Sequence, residues 1–243
     1  MSGGHVEPPV LGEPVDWAPV ERPSRQPLEG RRVRLRPVDP AGDVAPLFRA
    51  SHPPDGDPGH WTYLPDGPYA DEAALRERLE WQASSDDPLF FTIDRLPEEL
   101  PSGVASYLRI TPEYGVIEIG HIWFGAGLRR SAAATEAIYL LAREALDGLG
   151  YRRLEWKCNA LNGPSRRAAE RFGFRLEGVF RNHMVVKGRN RDTAWYAITD
   201  DEWPALGGGY ERWLAPENFD TDGRQLTPLA ALITDARSRA GAS

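Results

Sequence analysis

The sequence predicts one domain of the α/β (α+β) class, with a central mixed, mostly antiparallel sheet that holds one parallel pair, flanking helices, and extensions at both ends. Three observations carry this. VIEIGHIWFG alternates as a strand, GLRRSAAATEA leads without a proline into the amphipathic IYLLAREALDGLG, and YRRLEWKC alternates again, which makes a βαβ unit and hence a parallel pair. Late in the chain GVFRNHMVVK and TAWYAIT read as two strands joined by GRNRD, a hairpin. Finally, 243 residues at 41% hydrophobic content, with eight tryptophans, suffice for one ordinary core plus tails.

The elements follow in order. Residues 1–27 are proline-rich and aperiodic, an irregular arm expected to drape over the domain. In RRVRLRPV, Val33 and Leu35 alternate with arginines as in a half-buried strand that Pro37 ends. DPAGDVAPLFRAS suggests a short helix, and HPPDGDPGHWTYLPDGPY a loop. DEAALRERLEWQASS is a clearer helix, with Leu75, Leu79 and Trp81 directed inward. LFFTIDR and GVASYLRITP are strands separated by the turn PEELPS. From Ala132 to Leu149, the positions Ile138, Leu141, Ala142, Ala145 and Leu149 form one apolar stripe, with Gly148 and Gly150 as stop signals. NGPSRRAAERFGF is a short helix with Pro164 in its first turn and Gly173 past its end. The domain is expected over residues 28–200. Residues 201–243 form an extension that opens on a glycine hinge, GGG, and closes in a helix near Leu226 to Ala240.

Composition narrows the function classes. No run of about 18 apolar residues exists and the start lacks the basic and apolar regions of a leader, so no membrane segment or secretion is expected, and a cytoplasmic location is. A lone cysteine and the lack of any HExxH-like spacing argue against a metal site. Cys158 alternates with Leu154 and Trp156 on an apolar face, a core position rather than a nucleophile. The net charge of −7 argues against nucleic acid as a partner. That charge is uneven, with eleven Lys/Arg against three Glu between Tyr151 and Arg191, and three Arg against twelve Asp/Glu between Asp55 and Glu99. G-x-S-x-G and G-x-x-x-x-G-K-[ST] are both absent, which removes a serine-hydrolase elbow and a P-loop.

The junction before the long helix carries the chemistry. A helix start exposes unpaired backbone N–H groups and the positive end of the dipole, so small side chains there let a phosphate approach closely. Ser131, Ala132, Ala133 and Ala134 are small, and Arg129 and Arg130 add positive charge. The same pattern also suits plain packing of an alanine-rich first turn beside solvated arginines.

In sequence order, GRRVRLRPV, VIEIGHIWF, RRSAAATEA, YRRLEWKCNALNGPS and FGFRLEGVFR resemble the GCN5-related N-acetyltransferase (GNAT) superfamily, in the branch similar to the ribosomal-protein N-terminal acetyltransferases. The resemblance spans about Leu28 to Thr199. It implies an acetyl-CoA loop of the form Q/R-x-x-G-x-G/A at Arg129, Arg130, Ser131, Ala132, Ala133 and Ala134, continued by Thr135. Ala132 departs from the usual glycine, and its methyl narrows the approach to the pyrophosphate. The resemblance further implies that Asn162 holds the pantetheine arm, that Ser165 lies near the cofactor's sulfur, and that the arm pairs like a strand between two splayed parallel strands. Arg166, Arg167 and Arg171 are candidates for the adenosine 3′-phosphate, against the alternative of solvated surface charge.

Acetyl transfer needs a neutral amine, a polarised thioester and a stabilised thiolate. Three residues are open as the base: Glu118, His121, which strict alternation turns to the opposite face unless Gly120 bulges, and His183 on the late hairpin. Ser165 is the candidate acid, its ordinary role being a helix N-cap. Backbone N–H groups around Ile122, Trp123 and Phe124 are candidates for the oxyanion site. The acidic region from His52 to Asp87 corresponds to the family's acceptor wall and suggests a cationic amine. The expected function is acetyl-CoA-dependent N-acetylation of a primary amine, small molecule or protein N-terminus, in a ternary complex. The alternative is a non-catalytic acyl-CoA-binding module. Arms at both ends allow a homodimer.

Overall fold

A computed structural model describes residues 10–240. One eight-stranded sheet runs through the domain. Its strands are β1 (Leu28–Glu29), β2 (Val33–Pro37), β3 (Leu89–Arg95), β4 (Leu100–Thr111), β5 (Val116–Phe124), β6 (Arg153–Asn159), β7 (Arg175–Val186) and β8 (Arg189–Thr199), in spatial order β1-β2-β3-β4-β5-β6-β8-β7. Every neighbouring pair is antiparallel except β5 and β6. The mixed sheet with one parallel pair is therefore as expected. The two-residue β1 has too little periodicity to be seen in advance.

The helices are α1 (Pro40–Ser51), α2 (Glu72–Ser84), α3 (Ala132–Arg143), α4 (Gly163–Arg171), α5 (Trp203–Leu214) and α6 (Leu229–Ala240). Short polar caps start four of them: Asp39 accepts from the Ala41 amide, Asp71 from Ala74, Ser131 from Ala134 and Asn162 from Ser165. Helix α3 continues into a π-helical turn, Glu144–Gly148, so the apolar stripe read to Leu149 runs through two helix types.

Apolar burial divides between the two sheet faces. The main core packs Ile138, Leu141 and Ala142 of α3, with Tyr210 and Trp213 of α5, against Ile117, Ile119, Leu154 and Tyr196. A smaller core joins Val44, Leu47, Leu75, Leu79 and Trp61 to Phe90, Val104 and Trp123 on the other face. Polar groups fix the layers. Glu136 of α3, buried in the main core, accepts from the Arg32 and Val33 amides at 2.6 and 3.1 Å and so anchors the start of β2. Beneath α1 the fully buried Asp43 takes Arg36 at 2.6 Å and the Thr92 hydroxyl at 2.6 Å, and Asp94 takes the same arginine at 2.8 Å.

Four details differ from expectation. Trp81 is 43% exposed; it lies edge-on to Phe90 under the Arg78 guanidinium, 4.0 Å from the ring centroid, and covers the core edge from outside. The glycine hinge is helix: Gly207, Gly208 and Gly209 lie within α5, and a Cβ on Gly209 would stand 3.3 Å from Ile233 of α6. Gly209 permits close packing of α5 on α6 where sequence alone reads flexibility. The late hairpin turns at Lys187 and Gly188, with φ of 49° and 70°, a two-residue turn of the primed kind, and Arg189–Asp192 already belong to β8. Helix α6 starts at Leu229, after Pro228, rather than near Leu226.

The described part of the arm, from Val10, is irregular and lies on its own domain. The Trp17 indole donates to the Glu113 carbonyl at 3.0 Å, and Arg22 reaches the Ile110 carbonyl at 3.2 Å. Residues 1–9 and 241–243 of the two extensions lie outside the described residues.

Candidate active site

The parallel pair is short. Strands β5 and β6 are in register only at Val116 with Arg153, Ile117 with Leu154 and Glu118 with Glu155. Beyond that point β6 stays paired with β8 as far as Asn159, and β5 stays paired with β4 as far as Phe124, so the two strands diverge and leave facing backbone edges open. A β-bulge shapes the β5 edge. The register with β4 passes from Ser106–Gly120 to Val104–Trp123, so His121 and Ile122 together oppose Ala105, and His121 takes φ of 50°. The extra residue shifts the alternation: Glu118 and Trp123 share the face that carries the smaller core, while Ile122 and Phe124 pack with the main core.

Helix α3 starts at the mouth of this gap. Its cap consumes part of the donor set, because the Ser131 hydroxyl accepts from the Ala134 amide at 3.1 Å and donates to the Leu128 carbonyl at 2.7 Å. The Thr135 amide goes to the Ser131 carbonyl. Among the described residues, the Ala132 and Ala133 amides have no partner. Arg130 is exposed at φ of 56°, whereas Arg129 turns away to Asp57 at 3.0 Å and His60 at 3.4 Å.

Across the gap, Asn162 and Ser165 open α4. Asn162 is the N-cap, which corrects the ordinary role assigned to Ser165. The Ser165 hydroxyl instead accepts from the Trp156 indole at 3.0 Å. Arg167 folds back toward Gly163, where an added Cβ would meet its guanidinium at 3.1 Å. Arg166 is tied to the Tyr196 hydroxyl at 3.1 Å and Arg171 to Thr135 at 3.0 Å, over the Phe172 and Trp213 rings, so these two serve packing. Cys158 is buried in the main core, and burial raises its thiol pKa.

Residues 32–175 match the family model described as an acetyltransferase (GNAT) domain. The chain belongs to the GNAT acetyltransferase family. A GCN5-related N-acetyltransferase from Brucella melitensis is 48% identical, with a TM-score of 0.87 over 90% of this chain and 99% of that one. A GNAT-family protein from Chromobacterium violaceum is 37% identical, with a TM-score of 0.74 over 82% of this chain and 100% of that one. At 20% identity and a TM-score of 0.60, the microcin C7 self-immunity acetyltransferase MccE, solved with acetyl-CoA and AMP, shares the fold over 70% of this chain and 93% of that one. No curated protein matches the chain.

In this acetyltransferase the three base candidates sit in different surroundings. Glu118 is 3% exposed at the last paired position before the strands part; it accepts from Arg109 at 2.7 Å and from Lys157 at 3.0 Å. Burial raises its pKa, against the pull of the two cations. His121, carried to the Glu118 side by the bulge, stands 5.4 Å from the Phe90 ring, and burial drives it down to about 4. His183 lies on β7, its Nδ1 3.0 Å from the Thr193 hydroxyl, beside Phe180 and Trp195.

Within the region His52 to Asp87, which the resemblance gives as the acceptor wall, sequence reasoning missed the contacts that fasten the loop. A 3-10 turn, Pro58–Tyr63, is tied down at three distant points: Asp57 to Arg129, the Tyr63 hydroxyl to the Leu161 carbonyl at 3.2 Å, and the Lys187 ammonium to the Trp61, Asp66 and Gly67 carbonyls at 2.8, 3.0 and 2.7 Å. His60 stacks on Trp123 at 5.3 Å, and burial drives it to about 4. The sequence signal was there only as an aromatic cluster in a proline-rich loop. Among the described residues, no cluster of His, Cys, Asp or Glu is placed to hold a metal, and no helix is long and apolar enough to cross a membrane.

Proposed function

We propose that the protein transfers the acetyl group of acetyl-CoA directly to a primary amine, a small molecule or a protein N-terminus, bound together with it. The observation that carries this is the open edge between β5 and β6 leading to the unpartnered Ala132 and Ala133 amides. An amide-bearing arm can pair with such an edge as a strand does, and a diphosphate fits free amides at a helix start. The residues fit that cosubstrate: small side chains at Ser131, Ala132 and Ala133, the exposed Arg130 beside them, and Asn162, Ser165 and Arg167 opposite. MccE, a fold relative, binds acetyl-CoA, which agrees with this reading. When bound, the cosubstrate supplies an activated thioester carbonyl.

Glu118 is the base in this reading. It is buried where the gap closes, with Arg109 and Lys157 opposing the burial that raises its pKa, and its carboxylate takes the proton that the amine gives up as nitrogen attacks. Backbone N–H groups on the free edge of β5 between Ile122 and Phe124 stabilise the developing oxyanion. The Ser165 hydroxyl, oriented by the Trp156 indole, is the donor to the departing sulfur in this reading. His121 and His183 then shape the acceptor side without carrying the proton. Double ion pairing of Glu118 is also what a non-catalytic acyl-CoA-binding module would display. Thiol release from acetyl-CoA across a panel of amines and peptides separates the two: turnover on at least one acceptor supports the transferase, and CoA binding with no turnover supports the module.

A further inference from the structure

Five aspartates of the acidic region are already engaged. Asp57 pairs with Arg129, Asp66 with Arg78, and Asp86 with Arg25; Asp71 caps α2, and Asp87 accepts from the Arg109 and Ile110 amides. On the sheet face beneath, Glu118, Glu155 and Glu177 are matched by Arg109, Lys157 and Arg153 in one continuous network. The carboxylates named here are therefore committed before any ligand arrives.

Arg191 stands outside that balance. It lies on β8, opposite Met184 of β7. Thr193 and Trp195 follow it at period two on the same strand face; Thr193 holds His183, and the Trp195 ring lies 3.8 Å from Lys157, which pairs with Glu118. Arg191 thus belongs to the Glu118 face, and its charge reaches both Glu118 and His121. Its Nε is buried without a hydrogen-bond partner, and its guanidinium makes no ion pair with any described residue. Burial lowers its pKa, whereas hydrogen bonding to Glu177 raises that of Arg153. A guanidinium does not shed its proton, so a desolvated, unpaired one is costly unless an anion meets it. Its planar fork matches a carboxylate or a phosphate.

We propose that Arg191 recognises an oxyanion on the acceptor, so that the substrate is an amine which also bears a carboxylate or phosphate group. This rests on the acetyltransferase reading and reverses the cationic acceptor that the acidic loop suggests.

Matched amines test it by thiol release from acetyl-CoA: L-phenylalanine against 2-phenylethylamine, β-alanine against ethylamine, and O-phosphoethanolamine against ethanolamine. The oxyanion-bearing member of at least one pair is expected to show a kcat/KM about tenfold higher or more, the scale of one charge-assisted contact. Which pair responds separates carboxylate from phosphate. Arg191→Gln should remove that preference, lowering kcat/KM for the oxyanion-bearing member about tenfold more than for its neutral partner, with the acetyl-CoA KM unchanged. A preference for the neutral member in every pair overturns the proposal, as does an equal loss on both members or a raised acetyl-CoA KM, which would move Arg191 to the cosubstrate. A readout without turnover keeps the two readings distinct: calorimetry of N-acetyl-L-phenylalanine and N-acetyl-O-phosphoethanolamine on the CoA-loaded protein. At least one should bind the native chain about tenfold more tightly than it binds Arg191→Gln. Equal affinity for both ligands overturns the assignment even where no amine is acetylated.

Discussion

The two sides of the β5–β6 gap are built from different materials. On the α3 side the proposed recognition groups are backbone: the amides of Ala132 and Ala133 and the open strand edges, presented by small side chains. On the acceptor side they are side chains held by long-range contacts, with Glu118 between Arg109 and Lys157, His60 stacked on Trp123, and the Pro58–Tyr63 turn fastened by Arg129, Tyr63 and Lys187. The difference teaches how one fold can keep its donor and change its acceptor. Backbone amides depend little on which residue supplies them, whereas an ion-pair network changes with each substitution.

The largest effect expected from separating the sides is at Glu118. Glu118→Gln should lower kcat by about 10²–10³-fold, the scale of a general base, and leave the acetyl-CoA KM within about twofold. Steady-state kinetics with both substrates varied checks this. A matching rise in that KM would show that the two sides are not independent.

Next is the buried Arg36–Asp43–Asp94 cluster, which holds α1 and the smaller core to the sheet. Arg36→Ala leaves the buried Asp43 without its cation, while Asp94 keeps Arg34 at 3.1 Å, and should cost about 3–5 kcal/mol in urea unfolding. A loss under about 1 kcal/mol would show that water reaches Asp43.

A smaller, graded effect comes from the two histidines on the acceptor side. His60 and His121 are held near 4, against an ordinary value of 6.5, because burial disfavours the charged ring. Above pH 6.5 both states are neutral and the histidines take nothing from stability. Between 6.5 and about 4 the unfolded chain binds protons that the folded chain refuses, so stability falls with acid, by up to about 1.4 kcal/mol per pH unit for each ring. His121→Asn should flatten the acid limb of a Tm-against-pH curve. An unchanged limb would mean that His121 protonates freely in the folded protein.

The same division explains what was legible in advance. Strand alternation, the Ala132 helix, the Pro164 and Gly173 boundaries and the resemblance across VIEIGHIWF and RRSAAATEA are local signals, and they placed the sheet, the parallel pair and the helix start. Even the bulge at His121 was visible as a condition attached to Gly120. The resemblance marked His52 to Asp87 as the acceptor wall, but the contacts that fasten it were not legible, because Lys187 meets the carbonyls of Trp61, Asp66 and Gly67 across more than a hundred residues of sequence. Charge counting misled there as well: Asp57 and Asp66 are paired and Asp71 caps α2, whereas the Arg191 Nε on the sheet face beneath is buried without a partner. Trp81 and Gly209 of α5 failed for a related reason. Exposure under Arg78 and contact with Ile233 are set by partners that a single segment does not display.

The measurement that tests the central claim most directly is calorimetric titration of coenzyme A into the native protein and into Ala132→Asp, which sets a carboxylate at the open amides. One site per chain is expected, with affinity lowered tenfold or more in the variant, the scale of one lost charge-assisted contact, and unchanged in Arg191→Gln. An absence of heat with the native protein, or equal binding by native and Ala132→Asp, would contradict the account.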